Sequence, residues 1–160
     1  MSQQYRVISI VFVLLTISSL ANSQAPDRDV QLATARELIQ MGREEAINEE
    51  MRMSPEQAEA FWPLYKEYRG DLAVVQDRYI VMVVDYIGDY YDYKLTDDDA
   101  ERILKDYFSI RKDILNIRER YVRKFGKILP PGSVMRLYQL ENKIEAEVNV
   151  AIAQTVPLME

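Results

Sequence analysis

Apolar residues recur along most of this chain in alternating steps of three and four. The run Ala58, Phe61, Tyr65, Tyr68, Leu72, Val75, Tyr79, Met82 and Tyr86 holds that spacing for four heptads. An average repeat of 3.5 keeps one stripe of a helix against a neighbour, so the pattern predicts a long helix over about 55–90 lying along a partner helix. Ala100, Ile103, Tyr107, Ile110, Ile114, Ile117 and Tyr121 repeat it and predict a helix over 97–125. Leu32, Ala35, Ile39, Gly42 and Ala46 mark a first helix over 29–50, with Gly42 as its weak point. Val134, Leu137, Tyr138, Ile144, Val148 and Ala151 mark a last one over 131–153. The expected fold class is all-α: four helices forming long antiparallel hairpins with coiled-coil-like packing, in a single domain over 24–160.

The boundaries carry their own chemistry. In Met53-Ser54-Pro55-Glu56-Gln57, Ser54 can accept from the first free amides, Pro55 suits the first helical position, and Gln57 sits where a capping-box partner reaches back. Leu95-Thr96-Asp97-Asp98-Asp99-Ala100 repeats this grammar, with Thr96 as cap, Asp99 in the Gln57 place, and three aspartates against the positive end of the helix dipole. Leu129-Pro130-Pro131 opens the last helix. Aligned, these starts form an internal repeat, although any helix after a loop shows similar caps. Gly88 and Gly126 are placed as C-terminal stops. Pro63 falls inside the second helix, yet the stripe continues in register through it, which predicts a kink near 61–63 and no break.

The N-terminus has a different layout. Arg6 precedes a mostly apolar stretch, Val7 to Leu20, and then the small and polar Ala21-Asn22-Ser23. That is the plan of a secretory signal peptide over 1–23. Pro26 disfavours a cut after Ala25, which leaves Ser23, with Ala21 as the competing site. A retained anchor is the other reading, but the stretch is short of the roughly 20 residues a bilayer requires. The chain is therefore expected in the periplasm with no membrane span after cleavage.

Composition narrows the chemistry. Cysteine and histidine are both absent. Disulfides, thiol nucleophiles, Cys/His zinc sites, Ser-His-Asp catalysis and histidine pH switching are thereby excluded. Lys and Arg number 20 against 26 Asp and Glu, a net charge of −6, and loss of the leader with Arg6 makes the remainder more acidic still. Phosphate backbones and anionic membranes are poor targets for such a surface. No nucleic acid partner and no cofactor is expected.

Carboxylates are plentiful at Glu44, Glu45, Glu49, Glu50 and Asp97 to Asp99, and paired carboxylates serve acid/base work or calcium. Here the glutamates fall on an expected solvent face, the aspartates answer a helix dipole, and no calcium-loop spacing with its central glycine occurs. No enzyme is expected. Tyrosine is unusually frequent, at 11 residues. Those on the stripe are expected to pack; Tyr90, Tyr91 and Tyr93 lie off it and are the candidates for partner contact. Trp62, beside Pro63, reads as a core anchor.

The motifs Met53-Ser54-Pro55-Glu56-Gln57 and Leu95-Thr96-Asp97-Asp98-Asp99, in a small exported helical chain, resemble the paired LTXXQ motifs of the Spy/CpxP-like periplasmic proteins. Phe61-Trp62-Pro63-Leu64-Tyr65 and the segment from Leu129 to Ile144 are similar to features of a broader set of exported helical proteins. The resemblance covers about 29–153, and Asp99 stands where the pattern has Gln. It implies a four-helix protomer, often a cradle-shaped homodimer, acting as an ATP-independent chaperone or envelope-stress regulator. The function expected is periplasmic holding of unfolded or partly folded envelope proteins; the alternative is an adaptor docking one specific envelope or sensor protein.

Overall fold

The computed structural model describes residues 28–159, with side chains from Gln40 onward. The leader 1–23 and the expected irregular start near 24–28 lie outside, apart from the beginning of the first helix. Four helices follow in order: α1, Arg28–Met51; α2, Pro55–Tyr91; α3, Asp97–Phe125; and α4, Pro131–Ala153. Among the described residues there is no strand, and the fold is all-α.

Both capping boxes form. The Gln57 amide donates to Ser54 Oγ at 3.3 Å while the Ser54 amide donates to Gln57 Oε1 at 3.0 Å. At α3 the Asp99 amide donates to Thr96 Oγ1 and the Thr96 amide to Asp99 Oδ2, both at 3.2 Å. Aspartate, one methylene shorter than the glutamine in the equivalent place, still closes the box. Its carboxyl is held below the ordinary value by the Thr96 hydroxyl and then by the Arg102 guanidinium. At α4 the backbone alone does this work: Pro130 O accepts from Ser133 and Val134 at 2.9 and 3.1 Å.

α2 runs unbroken through Pro63. Both helices stop where expected, α2 within 88–92 and α3 at Gly126, but without a left-handed glycine. Gly88 lies inside α2, whose last turn closes at Asp92, and the left-handed residue that turns the chain is Tyr93, with φ 55°. Gly126 caps α3 in the right-handed region, with φ −63°. Neither glycine is used for positive φ, because the turn after each helix is completed by ordinary right-handed geometry or by tyrosine.

The chain gathers into two compact units: Met53–Val134 with Thr155–Glu160, and the segment up to Arg52 with Met135–Gln154. In the first, α2 and α3 pair antiparallel, since partner numbers on α3 rise as those on α2 fall. Its interior is a ring cluster. Phe61, Tyr65, Tyr68, Tyr121 and Phe125 are almost wholly buried, with Phe61 to Phe125 at 5.6 Å and Tyr68 to Tyr121 at 5.2 Å between centroids. Leu72, Val75, Ile110, Ile114 and Ile117 extend it. Trp62 is half-buried at its edge, 5.2 Å from Phe61.

The second unit is held differently. Arg43 on α1 and Glu141 on α4, exposed only 4% and 1%, form an ion pair at 2.6 Å, and Ile47, Met51 and Leu137 are buried in the same unit. Arg136 donates to the Glu50 carbonyl at 3.0 Å. The buried row of α1 is therefore Arg43, Ile47 and Met51, one position on from the expected Gly42 and Ala46, which are half-buried. A strong ion partner on α4 draws the arginine inward. The expected Leu32, Ala35 and Ile39 precede the described side chains.

Candidate functional site

The regular stripe does not give regular burial. On α2 it is buried from Phe61 to Val75, but Tyr79, Met82 and Tyr86 are half-buried. On α3 it is buried from Ile110 to Phe125, but Ala100, Ile103 and Tyr107 are half-buried. The α2/α3 pair is sealed at its base and open towards the turn at 92–96. That opening produces a groove of about 470 Å³. Val74, Val81, Met82, Tyr86, Ile103 and Ile110 supply its apolar surface; Asp77, Asp85, Asp89 and Asp106 its carboxylates. Arg78 and Arg102 complete the lining.

Below the groove a row of ion pairs crosses between the helices: Glu67 with Lys124 at 2.6 Å, Asp71 with Arg120 at 2.6 Å, and Arg78 with Asp113 at 2.7 Å. The Tyr121 hydroxyl also donates to Asp71, at 2.9 Å. Burial, then this bond to Asp71, raises the phenol well above its ordinary value. Lys124 and then Tyr121 hold the Glu67 carboxyl low.

The other flank of the seam on α3 is different. Leu104, Phe108, Leu115 and Val122 follow at steps of four, seven and seven and therefore share a face. They are 57%, 65%, 55% and 42% exposed. Arg111 and Arg118 fall between them, and Arg111 lies over the Tyr107 ring at 5.6 Å. The period-3.5 reading attended to the seam and passed over this second row, whose signal was available: large apolar residues one position after Ile103, Tyr107, Ile114 and Tyr121.

Of the helix-start residues, Ser54 with Gln57 and Thr96 with Asp99 engage their side chains in the two capping boxes, while Pro55 occupies the first position of α2. Tyr90, Tyr91 and Tyr93 are brought to the tip of the hairpin. Tyr90 is half-buried and meets Tyr86 at 6.3 Å and Tyr91 at 5.4 Å, whereas Tyr91 and Tyr93 are 67% and 97% exposed. Glu44, Glu45 and Glu49 are exposed and Glu50 is half-buried. Among the described residues, no group of three potential ligands is placed to hold a metal ion, and no helix is long and apolar enough to cross a membrane.

No family model, no curated protein and no solved structure matches this chain. The functional reading therefore stands on the hairpin itself.

Proposed function

We propose that the chain is an exported binding protein of chaperone or envelope-stress type, which holds unfolded or partly folded envelope proteins without nucleotide. The observation that carries this reading is the exposed row Leu104, Phe108, Leu115 and Val122 on a helix whose other side is locked into a ring-packed core. Exposed apolar side chains gathered on one helix face mark an interaction site. Interleaved arginines add a sequence-tolerant contact for carboxylates and rings. The resemblance to Spy/CpxP-like proteins points the same way, towards a periplasmic homodimer with coiled-coil-like packing and a leader cleaved after Ser23.

In the test, several unrelated denatured proteins are diluted into buffer with the purified chain at near-stoichiometric amounts, and light scattering is followed. Suppression is expected, and Phe108→Ser with Leu115→Ser should remove most of it while leaving helix content unchanged. Suppression that survives this pair of substitutions rejects the row as the holding surface. Failure of the native chain to suppress any of them rejects the chaperone role. Cell fractionation with N-terminal sequencing checks export, and sedimentation checks the dimer.

One observation favours the adaptor as a second reading. Tyr91 and Tyr93 are concentrated in a single tip, and a compact aromatic site suits one partner better than many. Co-purification with a single envelope or sensor protein, lost in Tyr91→Ser with Tyr93→Ser, is the outcome that reading requires.

A further inference from the structure

The groove at the open end of the α2/α3 hairpin has a chemistry opposite to that of the exposed row on α3. We infer that it docks a basic amphipathic segment of a partner protein, one with apolar residues at helical spacing and lysine or arginine beside them. The inference rests on the protein-binding role proposed above and specifies which segments this surface accepts.

Three observations carry it. The α2 wall of the groove offers accessible apolar surface: Val74 and Val81 are 68% and 56% exposed and succeed one another seven residues apart. Four carboxylates, Asp77, Asp85, Asp89 and Asp106, line the groove against two guanidinium groups, and each guanidinium also pairs beyond the lining, Arg78 with Asp113 at 2.7 Å and Arg102 with Asp99 at 2.9 Å. Asp85, Asp89 and Asp106 therefore leave the groove with surplus negative charge along its length. From Val74 to Asp89 the α2 side extends about 22 Å at 1.5 Å per residue, enough for a docked helix of about four turns. A helix laid in such a groove is read through anchors at i, i+3, i+4 and i+7. Flanking carboxylates then select cations and reject acidic sequences, by attraction on one side and repulsion on the other.

The experiment uses the purified chain and two fluorescein-labelled peptides of about fifteen residues. Both carry leucine at helical spacing; one has lysine at its polar positions, the other glutamate. Anisotropy should show the lysine peptide binding and the glutamate peptide not. Asp85→Asn with Asp106→Asn should weaken the lysine peptide about tenfold, in line with two partly exposed ion pairs. Glu59→Gln with Glu119→Gln removes the same charge elsewhere and should leave affinity unchanged. Added salt should weaken binding to the native groove and matter less in the Asp85/Asp106 variant.

Equal loss in both variants overturns the groove, because net charge alone then explains binding. Equal binding of the two peptides overturns it as well, and so does spermine competing as well as the peptide. If the lysine peptide does not bind while aggregation is still suppressed, the groove assignment fails and the chaperone role stands. Groove-dependent binding without any suppression keeps the groove and removes the chaperone role.

Discussion

Arg43 and Glu141 show how unlike its neighbours one buried pair can be. Each lies in a row of otherwise apolar residues, and Arg43 Nε is buried without a hydrogen-bond partner among the described residues. Two desolvated charges roughly offset their mutual attraction, but one left alone is strongly destabilising. Glu141→Ala is expected to cost about 3–5 kcal/mol, while Arg43→Met with Glu141→Leu together should be close to neutral. Urea unfolding of the three chains decides this. Tyr121→Phe, which removes the hydroxyl and its interactions with Asp71 and Glu67, should cost about 1 kcal/mol by the same measurement. The pair was not legible in the sequence, because periodicity scores charged residues as solvent-facing. Only spatial neighbours 98 residues apart could reveal it. The exposed tip tyrosines, in contrast, could be read directly, as they simply fall off the seam.

At the level of elements, caps and seams were the legible part. A capping box needs residues only three apart, so Ser54–Gln57 and Thr96–Asp99 declare α2 and α3 locally, and the four helices begin and end within a residue of the expected positions. What local sequence does not contain is how tightly each turn of a seam is closed. Tyr79 and Phe61 look equivalent by spacing, yet one is half-buried and the other sealed. The groove exists because of that difference and was invisible for the same reason. Ser54→Ala and Thr96→Ala should each cost about 1 kcal/mol. The two boxes stand at opposite ends of α2, so the double variant should lose the sum, as thermal melts followed by circular dichroism would show.

Across the whole molecule, the carboxylates tie the fold to pH. Asp99, Glu67 and Glu56 are all held below their ordinary values of 3.8 and 4.5, by bonds from Thr96, Lys124 and Ser54 first. A carboxyl with a depressed folded value binds fewer protons when folded than when unfolded. Its contribution is therefore present above the ordinary value and fades as pH falls through the folded one. Stability should be level near neutrality and decline below about pH 4.5. Melts across that range test it, and a midpoint that rises on acidification would contradict the assignment. The chain contains one tryptophan, and it stands beside Phe61 and Tyr65 at 5.2 and 5.7 Å. Excitation absorbed by Tyr65, Tyr68 and Tyr121 can thus be passed to Trp62 while the rings remain packed together, and its emission reports that unit with no added label. Tyr65 and Tyr68 share α2 with the indole, so parting α2 from α3 interrupts the transfer from Tyr121, and tyrosine emission should brighten as the indole signal shifts to the red.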